Sequence, residues 1–168
     1  RNKLKISTLF AMSKENHTDY HRRFNVVGQE AYGMTEIGPG THVPAHEVLA
    51  RTGTGTCGIE SPYRRVMVAD ENGNQVKTGE LGEVCVKGAG ILHGYYKNDA
   101  ANAESFRNGW FRTGDQARLD SEGYLYIVGR FKDMVRRSGE NIACREVEWV
   151  IRSIPEIEDV AIVPVPDS

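Results

Sequence analysis

Several residues of this chain have the types and spacing needed to bind a nucleotide. In the stretch GQEAYGMTEIGPG, the ring of Tyr32 can stack on a planar base and the hydroxyl of Thr35 can donate to a phosphate oxygen. Glu36 offers the hard oxygen ligand that Mg²⁺ prefers. The pattern therefore indicates a site for a nucleotide and its metal ion. The alternative is a Tyr-Gly pair that closes a turn, and this stretch alone leaves both interpretations open.

Two further stretches carry polar groups suited to ribose and phosphate. In GWFRTGD, Asp115 follows a glycine turn, and one carboxylate can accept both hydroxyls of a ribose. In GRFKDMVRRSGENI, four cations cluster: Arg130, Lys132, Arg136 and Arg137. A structural alternative stays open here too, because hairpin turns often carry a solvated acid and a basic strand end is usually a solvated face.

Other candidate chemistry has less support. His42 and His46 have HxxxH spacing, but Pro44 would break the helix that could direct both rings at one metal, so we interpret them as loop histidines. The glycine-rich stretch RTGTGTCG lacks a following lysine and is interpreted as a flexible loop. No GxSxG motif supports a nucleophilic serine, and three widely spaced cysteines favour neither a disulfide framework nor a zinc site.

Composition restricts the class of protein and of partner. The chain has 168 residues, 39% hydrophobic and 26% charged, as in ordinary soluble globular proteins. Its formal charge of -2 disfavours nucleic acid and anionic membranes as partners. No apolar run reaches the roughly 18 residues of a membrane span, and the N-terminus has no signal-peptide core. We expect a cytoplasmic protein in a reducing compartment.

The hydrophobic pattern predicts strands organised mainly as hairpins. A helix capped by Ser13 is expected over 13–24, and a long glycine-containing loop over 35–62. YRRVMVAD and GELGEVCVKG alternate like the strands of one hairpin, and QARLD and YLYIV like those of a second. Between the hairpins, NDAANAESF should form a short helix.

The pattern changes again after Arg130. CREVEWVIRSI has helical spacing up to Pro155, and DVAIVPV has the pattern of a strand. We therefore predict a domain boundary near Lys132, between domains at 1–131 and 132–168. The second segment is shorter than the roughly 40 residues that an unaided domain needs, so we interpret the chain as a piece of a longer protein.

Four motifs, in order and spacing, resemble the adenylate-forming superfamily of acyl-CoA and aryl-CoA ligases, peptide-synthetase adenylation domains and luciferases. They are YGMTE, GELGEVCVKG, GYYKNDAANAESFRNGWFRTGD and GYLYIVGRFKDMVRRSGENI. The resemblance covers about 30–168. It implies an α+β fold, in which a β-rich, distorted barrel-like subdomain of the large AMP-binding domain precedes a truncated, mobile α/β C-terminal domain.

The resemblance also implies roles for individual residues. Tyr32 would stack on adenine, Thr35 would contact the α-phosphate and Glu36 would hold Mg²⁺. Asp115 would bind the ribose hydroxyls. The implied cofactor-binding residues are Gly28, Gln29, Glu30, Ala31, Tyr32, Gly33, Met34, Thr35, Asp115, Arg130 and Gly139. Residues 28–31 would form the backbone edge beside the base, and Arg130 would contact ribose or phosphate. A glycine at 139 would let the pantetheine arm of coenzyme A pass close to the backbone.

The implied reaction has two steps. A carboxylate attacks the α-phosphate of ATP to give an acyl-adenylate and pyrophosphate, and the thiol of coenzyme A then displaces AMP. Thr35 and Glu36 are the implied catalytic residues, Lys132 is the hinge of the small domain, and Arg136 is a secondary candidate because relatives often carry lysine there. The expected cofactors are ATP or AMP, Mg²⁺ and coenzyme A, with a small carboxylic acid as substrate.

Three interpretations of function remain. The preferred one is a fragment of an ATP-dependent acyl-CoA ligase, inactive alone because the lysine-containing phosphate loop and the C-terminal catalytic lysine of the family are absent from these 168 residues. The alternatives are a peptide-synthetase-type adenylation domain, whose acceptor is a carrier protein, and a non-catalytic nucleotide-binding module derived from a ligase. Ile37 to Pro39 are expected to line part of the pocket for the carboxylic acid.

Overall fold

The computed structural model describes residues 3–10, 12–137, 140–163 and 165. Its N-terminal part is a four-stranded sheet with the order β1-β2-β3-β4. The elements of this part are β1 (Ile6–Leu9), α1 (Lys14–Phe24), β2 (Val27–Met34), β3 (Gly38–His42), α2 (Val48–Arg51) and β4 (Ile59–Glu60). Strands β1 and β2 are parallel and joined by α1, whereas β2, β3 and β4 are antiparallel neighbours.

Helix α1 has the cap that the sequence predicts. The Ser13 hydroxyl accepts the backbone N–H of Asn16 at 3.1 Å, which satisfies one of the unpaired donors at the helix start. The helix ends at Asn25, whose φ of 48° is left-handed and whose N–H donates to the His21 carbonyl at 3.1 Å. Both ends of the helix are therefore set by capping contacts with residues nearby in sequence, and the prediction of a helix over 13–24 is confirmed.

A second sheet forms the β-rich part of the chain. It comprises β5 (Arg64–Ala69), β6 (Gly82–Gly88), β7 (Phe106–Arg107), β8 (Trp110–Leu119) and β9 (Leu125–Arg130). The order is β5-β6-β8-β7, with β9 also paired to β8, and the sheet curls into half a barrel. Both predicted hairpins are confirmed, since β5 pairs with β6 and β8 with β9, all antiparallel. The expected α+β fold is thus observed.

Helix α3 (Asp99–Ser105) lies between the two hairpins, as predicted. Its N-cap is Asn98, whose side-chain oxygen accepts the N–H of Ala101 at 3.1 Å.

The predicted loop over 35–62 is wrong in part, because it contains β3, α2 and β4. Strand β3 has the sequence GPGTH, whose glycines and proline conceal any alternation. The stretch interpreted as a flexible loop is fixed at its C-terminal half. Thr56 is buried, its hydroxyl donates to the Leu125 carbonyl at 3.0 Å, and it accepts the N–H of Gly58 at 3.1 Å.

The core lies between the turn that follows β2 and the curled sheet. Its buried members are Tyr32, Ile37, Val68, Val84, Val86, Phe111, Ala117 and Leu125. These apolar side chains remove a continuous surface from water, which is the main favourable term in folding. The core therefore fixes the end of β2 against β8, and these two strands carry most of the candidate site.

The C-terminal part begins with a 3₁₀ turn (Phe131–Asp133) and continues with β10 (Met134–Arg137), β11 (Glu140–Ala143) and α4 (Cys144–Arg152). Strands β10 and β11 form an antiparallel pair that the sequence did not predict. Helix α4 is confirmed. The strand predicted in DVAIVPV is not assigned over 159–163, and a strand needs a hydrogen-bonded neighbour that this described segment does not have. Among the described helices, none has the length and apolar character to span a membrane.

Candidate nucleotide site

Three predicted residues meet at one carboxylate. Tyr32 on β2 donates its hydroxyl to Oδ2 of Asp115 at 2.6 Å, although the two residues are 83 positions apart. Arg130, which ends β9 and is the register partner of Asp115, places Nε 2.8 Å from Oδ1. A second guanidinium nitrogen of Arg130 donates to the Thr113 carbonyl at 3.3 Å. The structure therefore brings together the residues predicted to bind adenine, ribose and phosphate.

The environment of Tyr32 keeps its hydroxyl protonated. The side chain is buried, and burial raises the pKa of the phenol well above its ordinary value, with the hydrogen bond to Asp115 acting in the same direction. Tyr32 is thus a permanent donor to the carboxylate near neutral pH. This hydrogen bond was missed from the sequence, which gives no signal for a contact between residues so far apart.

Gly33 lets β3 pass close to the end of β2. A Cβ atom at this position would lie 2.4 Å from the carbonyl oxygen of Gly38, so no larger residue fits without moving the backbone. The β2–β3 register also shifts between Tyr32 and Gly33. This irregularity separates the buried tyrosine from the turn that follows. Met34, the last residue of β2, is half-buried against the core.

Thr35 and Glu36 lie in the turn between β2 and β3. The turn is closed by a hydrogen bond from the Ile37 N–H to the Met34 carbonyl at 3.1 Å. Thr35 is exposed and Glu36 is half-buried. The position at a strand end leaves the hydroxyl and the carboxylate accessible, as binding to a phosphate or a metal ion would require.

Tyr95 is a neighbour of Glu36 that sequence reasoning missed. Its hydroxyl donates to Oε1 of Glu36 at 3.2 Å, and burial raises its pKa, assisted by this hydrogen bond. Asn102 on α3 holds the backbone of Tyr95 from both sides, accepting its N–H at 2.6 Å and donating to its carbonyl at 3.0 Å. The short helix therefore supports the side chain that contacts the predicted metal ligand.

The surroundings of Glu36 fit a magnesium ion held mainly by phosphate and water. In the part of the chain that the structure describes, no group of three His, Cys, Asp or Glu side chains could hold a metal ion. Mg²⁺ commonly binds through one or two carboxylates and completes its coordination with substrate phosphates and water. One carboxylate at an accessible turn satisfies that requirement, whereas a site built from protein ligands alone is not present among these residues.

The first half of β2 is occupied by contacts with α1. The buried carbonyl of Gly28 accepts Nε2–H of His17 at 2.8 Å, and its N–H donates to Nε2 of His21 at 3.1 Å. Glu30 is also buried, and its Oε1 accepts the N–H of Met12 at 3.2 Å. These contacts stabilise the β1-α1-β2 unit, and nucleotide binding by Gly28 and Glu30 stays a prediction.

Gln29 and Ala31 have similarly structural surroundings. The side-chain amide of Gln29 donates to the Val43 carbonyl at 2.6 Å, and Ala31 is buried opposite His42. Their predicted place beside the base is not tested by these contacts.

The remaining predicted residues lie farther along the chain. Lys132 is exposed in the 3₁₀ turn between β9 and β10. The backbone of Arg136 pairs with that of Asn141 in the β10–β11 hairpin. Gly139 lies outside the described residues. The roles of all three as hinge, secondary catalytic residue and coenzyme A contact stay predictions.

Two smaller interpretations are corrected. Ile37 is fully buried in the core, so its side chain cannot line an acyl pocket, whereas Pro39 is exposed. His42 is in β3 and not in a loop, with Nδ1 2.9 Å from the Ser61 hydroxyl oxygen. His46 is exposed beside Glu47.

A separate cavity of about 140 Å³ lies against the curled sheet, lined by Cys85, Arg107, Trp110 and Arg112 among others. None of the predicted site residues lines it. Its volume is below the roughly 300 Å³ at which small-molecule sites begin, so we do not assign it the nucleotide.

Comparison with known proteins agrees with this geometry. The family model described as AMP-binding enzyme matches residues 8–96. The chain is 40% identical over 138 residues to a feruloyl-CoA synthase from an Amycolatopsis species, covering 82% of this chain and 28% of the relative. It is 39% identical to a long-chain-fatty-acid–CoA ligase of Escherichia coli, covering 82% of this chain and 24% of that enzyme. The chain thus spans about a quarter of the length of these relatives.

Solved structures of other adenylate-forming enzymes have a similar fold. The o-succinylbenzoate-CoA synthetase of Bacillus subtilis, solved with its acyl-adenylate intermediate, superimposes with a TM-score of 0.88 at 26% identity, covering 100% of this chain and 34% of that one. An amide bond synthetase from Marinactinospora thermotolerans gives a TM-score of 0.81 at 25% identity, covering 98% and 34%. With a family model that matches more than half of its length, this chain belongs to the AMP-binding enzyme family of adenylate-forming enzymes.

Proposed function

We propose that the protein to which this chain belongs is an ATP-dependent acyl-CoA ligase, and that these residues supply its ribose and phosphate contacts. The observation that carries the proposal is the Asp115 carboxylate, held by Tyr32 on one oxygen and by Arg130 on the other. The same strand that presents Tyr32 ends at the turn of Thr35 and Glu36. The relatives named as CoA ligases supply the reaction class.

Asp115 has the capacity to bind a ribose without losing its present partners. An ionised carboxylate offers about four lone-pair directions, and one on each oxygen is used by Tyr32 and Arg130. The remaining direction on each oxygen suits the two adjacent hydroxyls of a ribose. Because Tyr32 and Arg130 already fix the plane of the carboxylate, little side-chain freedom is lost on binding.

Thr35 and Glu36 would act on the phosphates. The exposed Thr35 hydroxyl can donate to the α-phosphate, and Glu36 would hold Mg²⁺, which supplies charge neutralisation at that phosphate when bound. Tyr95 orients the Glu36 carboxylate through its hydroxyl. In this proposal the chain's own residues position the nucleotide for attack by a carboxylate, which forms the acyl-adenylate and releases pyrophosphate.

Coenzyme A is the acceptor that the named relatives favour. A second acceptor class is also supported by an observation, because one structural neighbour is an amide bond synthetase, whose name specifies an amine acceptor. Both share the first half-reaction and differ in the second. Lys132 would be the hinge between the two half-reactions, with 1–131 in the large domain and 132–168 in the small one.

The test uses the intact protein. ATP-pyrophosphate exchange would be measured with a panel of fatty, aryl and short-chain carboxylic acids, and the activating acids would then be incubated with coenzyme A or with simple amines. We expect exchange with at least one acid and a thioester product with coenzyme A. Exchange followed by an amide but no thioester would favour the amide synthetase. Absence of exchange with every acid would refute the ligase proposal.

A further inference from the structure

Glu83 lies on β6, outside the candidate site, yet its carboxylate is buried and fully engaged beside the strand that carries Asp115. We propose that Glu83 is a positioning residue for Asp115, acting through the backbone of Gly114 and not by contact with the nucleotide. The proposal rests on the proposed function, in which Asp115 binds the ribose hydroxyls.

The first observation is a break in the pairing of β6 with β8. The strands are in register at Glu83 and Gln116 and again at Cys85 and Arg112. Between these pairs β6 advances by two residues and β8 by four, so β8 contains two extra residues at this point. Asp115 lies in this bulge. Backbone N–H groups within a bulge lose their ladder partners and need other acceptors when they are buried.

Glu83 supplies one of these acceptors. Its Oε1 accepts the N–H of Gly114 at 3.0 Å, and its side chain is only 10% exposed. Gly114 has a φ of 74°, a left-handed conformation that favours glycine and turns the chain immediately before Asp115. The carboxylate therefore fixes the residue whose conformation directs Asp115.

The other oxygen of Glu83 is held by Arg112. Oε2 lies 2.8 Å from Nε and 2.6 Å from a terminal guanidinium nitrogen, a charge-assisted contact that orients the whole carboxylate. Glu83 thus connects a cation on one side to a backbone donor on the other. An uncharged or misoriented side chain would satisfy only one of them.

Thr113 also supports the bulge. Its hydroxyl donates to the Val84 carbonyl at 2.9 Å and accepts the N–H of Asp115 at 3.1 Å. Two successive backbone N–H groups therefore have side-chain acceptors, from Glu83 and from Thr113. Loss of the first would leave Gly114 with an unsatisfied donor, and the bulge could relax it only by moving the backbone next to Asp115.

Glu83→Gln is a sharp test because glutamine has a single acceptor oxygen. If that oxygen faces Arg112, the NH₂ group faces the Gly114 N–H, and if it faces Gly114, the NH₂ group faces the guanidinium. In either orientation two hydrogen-bond donors face each other. In the double variant Glu83→Gln/Arg112→Ala the cation is gone, so the amide oxygen is free to accept from Gly114. The double variant should therefore recover part of what the single variant loses.

The experiment measures equilibrium binding of ATP and of 2′,3′-dideoxy-ATP to the intact protein. Wild type should prefer ATP, since the analogue lacks both hydroxyls. We expect Glu83→Gln to weaken ATP binding about tenfold and dideoxy-ATP binding less than about twofold. Arg112→Ala should reduce the preference less, and the double variant should restore it in part. Thr56→Val, which removes a buried hydroxyl that holds backbone elsewhere, is the control and should keep the wild-type preference.

The outcomes separate the two proposals. If wild type binds ATP without preference over the dideoxy analogue, Asp115 is not the ribose ligand and the proposed function and this inference fall together. If wild type shows the preference and Glu83→Gln weakens both nucleotides equally, or lowers only the thermal midpoint, Glu83 is structural and the inference alone is overturned. If Glu83→Gln does not fold, Arg112→Ala and the double variant provide the test. A wild-type preference for ATP over the dideoxy analogue in both variants refutes the positioning role of Glu83.

Discussion

Tyr32 shows how one side chain can serve both the core and the candidate site. Its ring packs with Ile37 and Phe111 in the core, while its hydroxyl donates to Asp115. The family resemblance assigns the ring to adenine, but the contact that the structure describes is made by the oxygen. A phenylalanine would keep the packing and lose the donor, so the two contributions can be separated.

We predict that Tyr32→Phe lowers both nucleotide affinity and stability. Hydrogen bonds to charged groups contribute about 1.5–3 kcal/mol, so AMP binding to the intact protein should weaken about tenfold. The stability difference should also depend on pH. Because the folded-state pKa of Tyr32 is raised, its contribution is complete below the unfolded value of about 10 and is lost as pH rises further.

Thermal unfolding of wild type and Tyr32→Phe between pH 8 and about pH 11 would test this dependence. The gap between their midpoints should narrow above about pH 10. Tyr126→Phe, at a partly exposed ring that donates to Asp120, is the matched control and should leave AMP affinity unchanged. A gap that stays constant, with unchanged AMP affinity, would contradict the role given to the Tyr32 hydroxyl.

Glu36 is expected to matter through its charge. Glu36→Gln keeps the volume of the side chain and removes the negative charge of the predicted Mg²⁺ ligand, so adenylate formation should fall at least about tenfold, or roughly 1.4 kcal/mol in the barrier. ATP-pyrophosphate exchange at limiting Mg²⁺ is the measurement, and Glu71→Gln at an exposed side chain is the control. An unchanged rate for Glu36→Gln would exclude the metal role.

At the residue scale, the sequence predicted which residues form the candidate site better than it predicted which residues contact one another. Tyr32, Asp115 and Arg130 were chosen from separate motifs, and the structure places them at one carboxylate. Tyr95 and Glu83 were not chosen. Their contacts with Glu36 and Gly114 span 59 and 31 positions. The first depends on the loop that α3 holds in place, and the second on the register of β6 and β8.

At the scale of the elements, features that depend on neighbouring residues were predicted from the sequence, whereas features that depend on distant residues were missed. Capping by Ser13 and Asn98 was predictable because the acceptor and donor are three residues apart. Strand β3 was missed because a strand made of GPGTH is defined by its neighbours β2 and β4, not by its own side chains. Likewise, Thr56 and Gly58 are fixed by Leu125, far along the chain.

Helix α1 and strand β2 are coupled through His21. Its Nε2 accepts the Gly28 N–H at 3.1 Å, which requires that nitrogen to be unprotonated. Burial lowers the pKa of His21 and the nearby His17 ring acts in the same direction, and together they outweigh an opposite effect of the Gly28 backbone. Because the folded-state pKa is lowered, the neutral His21 ring contributes stability above the unfolded pKa of about 6.5, and this stability is lost as pH falls through the lower folded value.

We predict that His21→Gln removes this acid sensitivity. Glutamine can accept the Gly28 N–H through its amide oxygen and does not titrate. Between about pH 7 and pH 5, the melting temperature of wild type should fall more than that of His21→Gln. His46→Gln, at an exposed histidine, should follow wild type. Parallel curves for wild type and His21→Gln would show that His21 does not couple α1 to β2 in this way.

At the scale of the whole molecule, the chain joins three structural parts. The β1-α1-β2 unit and the curled sheet share the core, and both contribute to the contacts at Asp115. The β10–β11 hairpin and α4 follow the 3₁₀ turn at 131–133. The domain boundary that we predict near Lys132 would therefore fall at the end of a strand, where a hinge can change backbone torsions without breaking a sheet.

Lys132→Pro in the intact protein tests this hinge. Proline fixes φ near -65°, a value that 3₁₀ turns also adopt, and it removes the N–H and the torsional freedom. If the small domain must rotate after the adenylate forms, the variant should hold one domain arrangement. We expect acyl-adenylate formation to survive in part and thioester formation to fall at least about tenfold further.

The two half-reactions can be measured separately. Pyrophosphate release in a single turnover reports the first, and transfer of pre-formed acyl-adenylate to coenzyme A reports the second. Lys132→Ala is the control, because it removes the same charge and leaves the backbone free, so a loss specific to proline identifies torsion and not charge. Equal loss in both half-reactions would indicate a general disturbance or a hinge at another residue. No loss in either would show that rotation does not pass through Lys132.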